Sequence, residues 1–329
     1  MKNLLVIGSR GSKLALWQAK WIQTLISRFH PEVTADIEII KTTGDVKTEP
    51  LSVIGGKGVF TKELEDALLA RRIDLAVHSL KDLPTNLPDL LTIAAVCERE
   101  DARDAIVLRE AQTLRSVNDL PSGALVGTSS PRRLAQLKYL RRDIVIKDLR
   151  GNVDTRLRKL DDGQYDALLL AAAGLRRLGL EGRISALIAT DEMLPAVGQG
   201  ALALETRAED HSTIALVSSL NHAPTRLACA SERAFLRTLG GGCQLPIAGY
   251  AVATGDELVL EGLIAAPDGQ EVVRGRLTGS TAKAEELGSR LAHHLLKRGG
   301  DKLLAAHEII PSSGAGSVAF KNQGSHNGR

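Results

Sequence analysis

Aromatic side chains are scarce in this sequence: two Trp, three Tyr and four Phe make up 3% of 329 residues. Its cores must therefore rest on Leu, Ile, Val and Ala, which a hydrophobic fraction of 43% supplies. Cysteine is almost missing as well. Cys97, Cys229 and Cys243 show no metal-ligand spacing, and an odd count in so long a chain argues against a disulfide scaffold. No metal site is expected, and a reducing cytoplasm is the simplest setting. The net charge of +3 is too small to imply a nucleic-acid partner, although a local cluster of cations remains able to hold a small anion. No apolar run approaches the roughly 20 residues of a membrane span. Leu4-Leu5-Val6-Ile7, behind Met1-Lys2-Asn3, is too short for the core of a signal peptide and reads as a strand. At roughly 100–200 residues per domain, the length bounds the chain to two or three domains.

Strands and helices alternate through the first two thirds. Leu4–Ile7 leads through Gly8-Ser9-Arg10-Gly11-Ser12 into a helix with Leu14, Trp17, Trp21 and Leu25 on one face. Strands follow at Ala35–Ile40, Ile73–Val77 and Leu91–Val96, with a helix over Phe60–Ala70. The pattern then restarts: a strand ending Leu125-Val126-Gly127 and a helix from Pro131, where the missing N–H costs nothing. A strand over Ile144–Leu149, a helix over Val153–Leu160 and a strand over Ala167–Leu170 complete it. Val6 to Arg10 matches Leu125 to Ser129 in kind, and Asp74–Val77 matches Asp166–Leu169. The alternation implies largely parallel sheets in two similar α/β lobes. Crossings near Cys97–Arg103 and Pro195–Ala201 would enclose a cleft. The C-terminal third changes to strands at Ile247–Ala253, Glu257–Ala266 and Glu271–Thr278. A helix over Ala282–Arg298 follows, with Leu287, Leu291 and Leu295 inward and Gly299 as its stop. From Pro311 the Ser, Gly and Asn content predicts a disordered tail.

Several turns carry charge where a ligand would sit. Gly8 to Ser12 opens a helix whose free N–H groups favour an anion, with Arg10 adding a formal charge, or else it is a tight turn capped by Ser12. Gly55-Gly56-Lys57-Gly58 lacks the spacing of a phosphate loop and reads as a cationic glycine loop. Arg132 and Arg133 follow Thr128-Ser129-Ser130-Pro131 at a helix start, against the macrodipole, a conflict that a bound anion would remove. Arg150 to Arg156 and Ala173 to Leu178, with Arg176 and Arg177, are two further arginine-bearing turns. Each alone reads as a charged surface; three at strand ends of one lobe suggest a polyanionic ligand. Lys81-Asp82 taken alone is an ordinary pair, and His78 a packed histidine. Cys97 and Cys229 read as small buried hydrophobes. Cys243, between Gly240-Gly241-Gly242 and Gln244-Leu245-Pro246, sits on a loop and is a candidate nucleophile or attachment point.

Taken together, Arg10–Gln18, Gly55–Glu65, Ala76–Pro84, Ser129–Arg133, Arg150–Arg156, Pro195–Gly200 and Gly240–Ile247 resemble, in order, the motifs of the porphobilinogen deaminase (hydroxymethylbilane synthase) family. The resemblance implies an α/β protein of two lobes like those of type-II periplasmic binding proteins, plus a small α+β domain. The expected division is 1–98 with 200–218, then 103–195, then 219–311, and a tail over 312–329. It further implies a dipyrromethane cofactor joined by a thioether to Cys243. The implied reaction condenses four porphobilinogens with loss of ammonia and releases hydroxymethylbilane, in heme and tetrapyrrole synthesis.

In that reading Asp82 and Lys81 are catalytic. Asp82 would stabilise the electron-poor cation left when ammonia departs, and would move protons. Arg10, Ser12, Ser79, Thr128, Ser129, Arg132, Arg133, Arg150, Arg156 and Arg177 would hold cofactor and substrate, largely through the acetate and propionate of each ring. Lys57 and Phe60 match a lid-like loop and Gln199 a cleft position. The expected partner is the small molecule porphobilinogen, with no nucleic acid and no membrane, and the expected state a cytoplasmic monomer. The rival is a non-enzymatic solute-binding or sensor module, which would have no use for a thioether-bound group on Cys243.

Overall fold

A computed structural model describes residues 3–42, 61–110, 113–241 and 245–309. Lys57, Phe60, Cys243 and the tail expected from Pro311 lie outside the described residues.

The first lobe begins with β1 (Leu4–Ser9), α1 (Lys13–Phe29) and β2 (Thr34–Ile39), then α2 (Lys62–Leu69), β3 (Leu75–Ser79) and β4 (Leu91–Val96). The second comprises β5 (Asp104–Leu108), β6 (Leu125–Gly127), α3 (Pro131–Leu140), β7 (Val145–Lys147), α4 (Val153–Asp161), β8 (Ala167–Ala171), α5 (Ala172–Arg177) and β9 (Ala186–Leu187). The chain then returns as β10 (Leu202–Arg207) and α6 (His211–Val217). The two sheets run β2-β1-β3-β10-β4 and β7-β6-β8-β5-β9. In each, the fourth place is filled by the strand that follows a crossing, β10 or β5, and that strand alone runs against its neighbours. The sheets are therefore mixed where the alternation predicts largely parallel ones: four strands of each point one way, but two of the four pairings are antiparallel because the strand after the crossing is inserted between two of them.

The likeness of the halves extends to single atoms. Asp74 donates its N–H to Val6 O at 2.8 Å and accepts Val6 N on Oδ2 at 3.0 Å. Asp166 repeats this with Leu125, at 2.8 and 2.7 Å. Each aspartate thereby satisfies both backbone groups of the strand beside it, which would otherwise be orphaned at the sheet end. The paired glycines match as well: a Cβ at Gly8 would fall 2.2 Å from Ile73 Cδ1, and one at Gly127 2.6 Å from Leu168 Cδ2.

One face differs from expectation. In α1 the fully buried stripe is Ala19, Ile22 and Ile26, rotated by a residue from the Leu14, Trp17, Trp21, Leu25 line. The smaller side chains let the helix sit close to Leu5, Ile7 and Leu75 of the sheet. The two indoles are displaced to the flank, where Trp17 and Trp21 stack with centroids 6.2 Å apart.

The last third has α7 (Ala223–Thr238), then β11 (Ile247–Thr254), β12 (Glu257–Ala265) and β13 (Val272–Ser280) in one antiparallel sheet, then α8 (Ala284–Leu295) and α9 (Asp301–Ile309). Leu287, Leu291 and Leu295 face inward as expected. Gly299, at φ 104, breaks the helix, but the chain resumes as α9 instead of ending there. Phe235 is fully enclosed beneath Gly249 and Gly262. Deleting its ring would cost about 3–5 kcal/mol. Among the described residues no helix is long and apolar enough to cross a membrane.

Candidate active site

The first lobe contributes the ends of β1 and β3. Ser12 caps α1, its Oγ accepting Ala15 N at 3.3 Å, which fixes the turn bearing Arg10. Gln18, buried on α1, donates to Ser79 Oγ at 2.9 Å and so ties that helix to the end of β3. There the chain turns through a 3-10 segment, Leu80–Asp82, held by Leu80 N to Ala201 O at 3.0 Å. Leu80 is buried, Asp82 is exposed, and Lys81 lies between. Lys81 Nζ donates to Gln199 Oε1 at 3.3 Å. Burial, despite the nearby Asp82 carboxylate and with Arg133 adding repulsion, pushes its ammonium down to about 8. His78 lies two residues before the turn and is buried against Glu205, at 2.9 Å. It is the packed histidine expected.

The second lobe is organised on Asp104. Its carboxylate, wholly buried, takes Arg132 Nη1 at 2.6 Å, Arg133 Nη2 at 2.8 Å and Gln199 Nε2 at 2.8 Å. Burial alone would raise the Asp104 carboxyl; the two guanidiniums reverse that and hold it well below the usual carboxylate range. The conflict between arginines and a helix N-terminus is therefore met by a carboxylate of the chain itself. Arg132 also donates to Leu194 O at 2.7 Å and is not among the residues that line the cleft, where the sequence reading has it facing a ligand. Thr128 and Gln199 are also behind the cleft wall. Thr128 Oγ1 accepts Ser130 N at 3.2 Å, and Gln199 Nε2 also donates to Ala102 O at 2.7 Å.

A cleft of about 1000 Å³ lies between the strand ends of the two lobes. Arg10, Ser12, Ser79, Lys81, Asp82, Ser129, Arg133, Arg150, Arg156 and Arg177 all line it. Ser129 donates to Leu149 O and accepts Leu149 N at 3.1 Å, Arg150 Nε meets Asp148 at 2.9 Å, and Arg156 Nε meets Gly151 O at 2.7 Å. Arg177 donates to Gly200 O at 2.6 Å. Burial lowers the Arg156 and Arg177 guanidiniums to about 10 each, and Arg133 adds to the effect at Arg156. The sequence reading missed Lys13, Lys41 and Lys159. Lys41 follows the end of β2 and Lys159 lies one turn beyond Arg156, so strand-end position and helical spacing both pointed to them. Among the described residues, nine cationic residues and two carboxylates line the cleft. Asp154 is tied to Lys13 at 2.9 Å. Asp82 has no ion pair among the described residues. The arrangement is a basin for a multiply charged anion with the Asp82 carboxylate exposed in its wall.

Comparison with known proteins agrees with that chemistry. Residues 5–215 match the family model "Porphobilinogen deaminase, dipyromethane cofactor binding domain", and residues 226–297 match "Porphobilinogen deaminase, C-terminal domain". A porphobilinogen deaminase of Roseiflexus sp. (strain RS-1) is 52% identical over 306 residues, 93% of this chain and 100% of that one. Solved structures with a related outline include a probable amino-acid transporter extracellular-binding protein from Bacillus subtilis. It shows 12% identity and TM-score 0.40 over 67% of this chain and 90% of that one. The VFT2 domain of Bordetella pertussis BvgS shows 13% identity and TM-score 0.41 over 67% and 85%. With both family models matched in order along most of its length, the chain belongs to the porphobilinogen deaminase family.

Proposed function

We propose that this chain condenses four porphobilinogens, with loss of ammonia, into hydroxymethylbilane on a dipyrromethane carried by Cys243. The observation that carries the reading is the cleft itself, where among the described residues nine cations and the exposed carboxylate of Asp82 line one basin. The residues fit the cofactor. Each ring bears an acetate and a propionate, so the bound group is a polyanion. Lys81, Arg156 and Arg177 line the cleft as cations whose charge burial disfavours, and an anion bound beside them would relieve it.

When bound, dipyrromethane supplies the pyrrole carbon from which the chain is extended. Arg10, Arg133, Arg150, Arg156 and Arg177 hold ring carboxylates, with Ser12 and Ser129 available as neutral donors. Asp82 Oδ atoms accept the pyrrole N–H of the incoming porphobilinogen. As its C–N bond breaks and ammonia leaves with the electron pair, the same carboxylate stabilises the positive charge left on the ring. After the new C–C bond forms, Asp82 accepts the proton released as the ring regains aromaticity. Lys81 Nζ is an ammonium at neutral pH and can protonate the departing amine.

We read the chain as three domains, 1–98 with 200–218, 103–195 and 219–311, acting as a cytoplasmic monomer. The free, buried thiols of Cys97 and Cys229 support a reducing compartment. The test is direct: the purified chain is given porphobilinogen, and ammonia and product are followed together. The reading expects one linear tetrapyrrole for every four ammonia molecules. Consumption without that ratio, or none at all, refutes it.

A further inference from the structure

The turn that carries Lys81 and Asp82 is gripped from outside its own lobe by two adjacent residues of α7, Glu232 and Arg233. Glu232 is fully buried. Its Oε2 accepts Gly198 N at 2.7 Å, and its Oε1 accepts Ala251 N at 2.8 Å and Arg99 Nη1 at 2.5 Å. Gly198 has φ +72, and a Cβ there would stand 2.9 Å from Leu80 Cγ, so this glycine packs directly against the first residue of the turn. Arg233 takes the other end. Its Nη1 donates to Leu83 O at 3.1 Å, and its Nη2 to Pro84 O at 2.7 Å and Thr85 O at 3.3 Å.

The chemistry of Arg233 is unusual for a packing residue. The side chain is buried, and burial lowers its guanidinium. Among the described residues no carboxylate lies at ion-pair distance from it. Its hydrogen-bond acceptors among the described residues are three successive carbonyls, all within three residues of Asp82. A buried cation held by carbonyls alone is less well compensated than one in an ion pair. What it does achieve is to fix the path of the chain immediately after Asp82.

We infer that Arg233 is a positioning residue for the reaction: from α7 it sets where the Asp82 carboxylate stands in the cleft. The inference rests on the reading of Asp82 given above. A displacement of about 1 Å in a reacting carboxylate can cost about a hundredfold in rate, so its loss is read in kcat and not in KM.

Three variants of the cofactor-bearing enzyme test it. Arg233→Met is expected to lower kcat about ten- to a hundredfold with KM within about twofold and the cofactor mass intact. Arg233→Lys, which keeps one donor group near the carbonyls, is expected to recover part of that loss. The matched control is Arg226→Met. Arg226 lies on the same helix and also donates to carbonyls, those of Ala94 and Ile93 at 3.0 and 3.3 Å, away from the turn. Its kcat is expected to stay within about twofold. In an Asp82→Asn background, Arg233→Met is expected to slow turnover no more than about twofold further, because both changes act on one group. A normal kcat in Arg233→Met, an equal fall in Arg226→Met, or full additivity with Asp82→Asn overturns the inference. If Arg233→Met does not fold, Arg233→Lys set against Arg226→Met decides by the same kcat criterion. Normal turnover in Asp82→Asn alone would instead overturn the reading of Asp82.

Discussion

Lys81 Nζ donates to Gln199 Oε1 at 3.3 Å, joining the turn that bears Asp82 to the segment returning from the second lobe. Gln199 is itself anchored on Asp104 at 2.8 Å, so the ammonium is held at the cleft wall near Arg132 and Arg133. That setting has a consequence in pH.

Burial pushes the Lys81 ammonium from its ordinary 10.5 down to about 8 in the folded chain. Between those values the unfolded chain binds more protons, so this residue's contribution to stability improves as pH rises through the window. A polyanion in the cleft raises the folded value again. Binding of porphobilinogen to Cys243→Ser at about pH 8.5 should therefore take up protons, and Lys81→Met should take up fewer. Calorimetry in buffers of different ionisation enthalpy reads this. Equal uptake by both proteins would remove Lys81 from the account.

Asp104→Asn keeps the shape and removes the charge that Arg132 and Arg133 share. Breaking such a buried pair costs about 3–5 kcal/mol. The variant should melt well below the parent. The Asp104 carboxyl is depressed in the folded state, so its stabilisation is present above the ordinary value of 3.8 and is lost as pH falls below it. The parent should therefore lose stability in acid more steeply than the variant. Parallel acid titrations of both proteins would show it; identical slopes would contradict it.

Much of this was legible in the sequence, and the rest was not for a physical reason. The match of Val6 with Leu125 and of Asp74 with Asp166 was visible as local pattern, and the structure realises it bond by bond. The strand-end arginines were equally visible. The anion that answers Arg132 and Arg133 was not. It is Asp104, on an antiparallel strand nearly 30 residues upstream, and neither period nor capping pattern reaches that far. The buried line of α1 was misplaced because indoles outweigh Ala19 in any hydrophobic count, while close packing on a sheet favours the smaller residue.

The cleft arginines should act at different stages, since each condensation adds carboxylates to an attached chain. Losing one fork costs about 1.5–3 kcal/mol, or about ten- to a hundredfold in rate at the step that uses it. Leucine at Arg150, Arg156 or Arg177 should leave stalled enzyme carrying different numbers of added pyrroles, visible by mass after brief exposure to porphobilinogen. Leucine at Arg132, which faces Asp104 and not the cleft, should lower the melting temperature without stage-specific stalling. Uniform slowing in all four variants would defeat the staged model.

Asp82→Asn preserves size and removes the charge. Turnover should fall by about 10²–10⁴, the range for a proton-transfer group or a preorganised charge. The melting temperature should barely move, because Asp82 is exposed. Near-normal turnover would leave Asp82 as an exposed carboxylate with no part in the reaction.

The intact mass of the purified chain tests the central claim most directly. The account predicts an excess over the sequence mass equal to two porphobilinogens less the ammonia lost. That excess should vanish in Cys243→Ser and persist in Cys97→Ser and Cys229→Ser, whose buried thiols are pushed up to about 12 and are poor nucleophiles. A wild-type chain at its bare sequence mass that still converts porphobilinogen at full rate would contradict it.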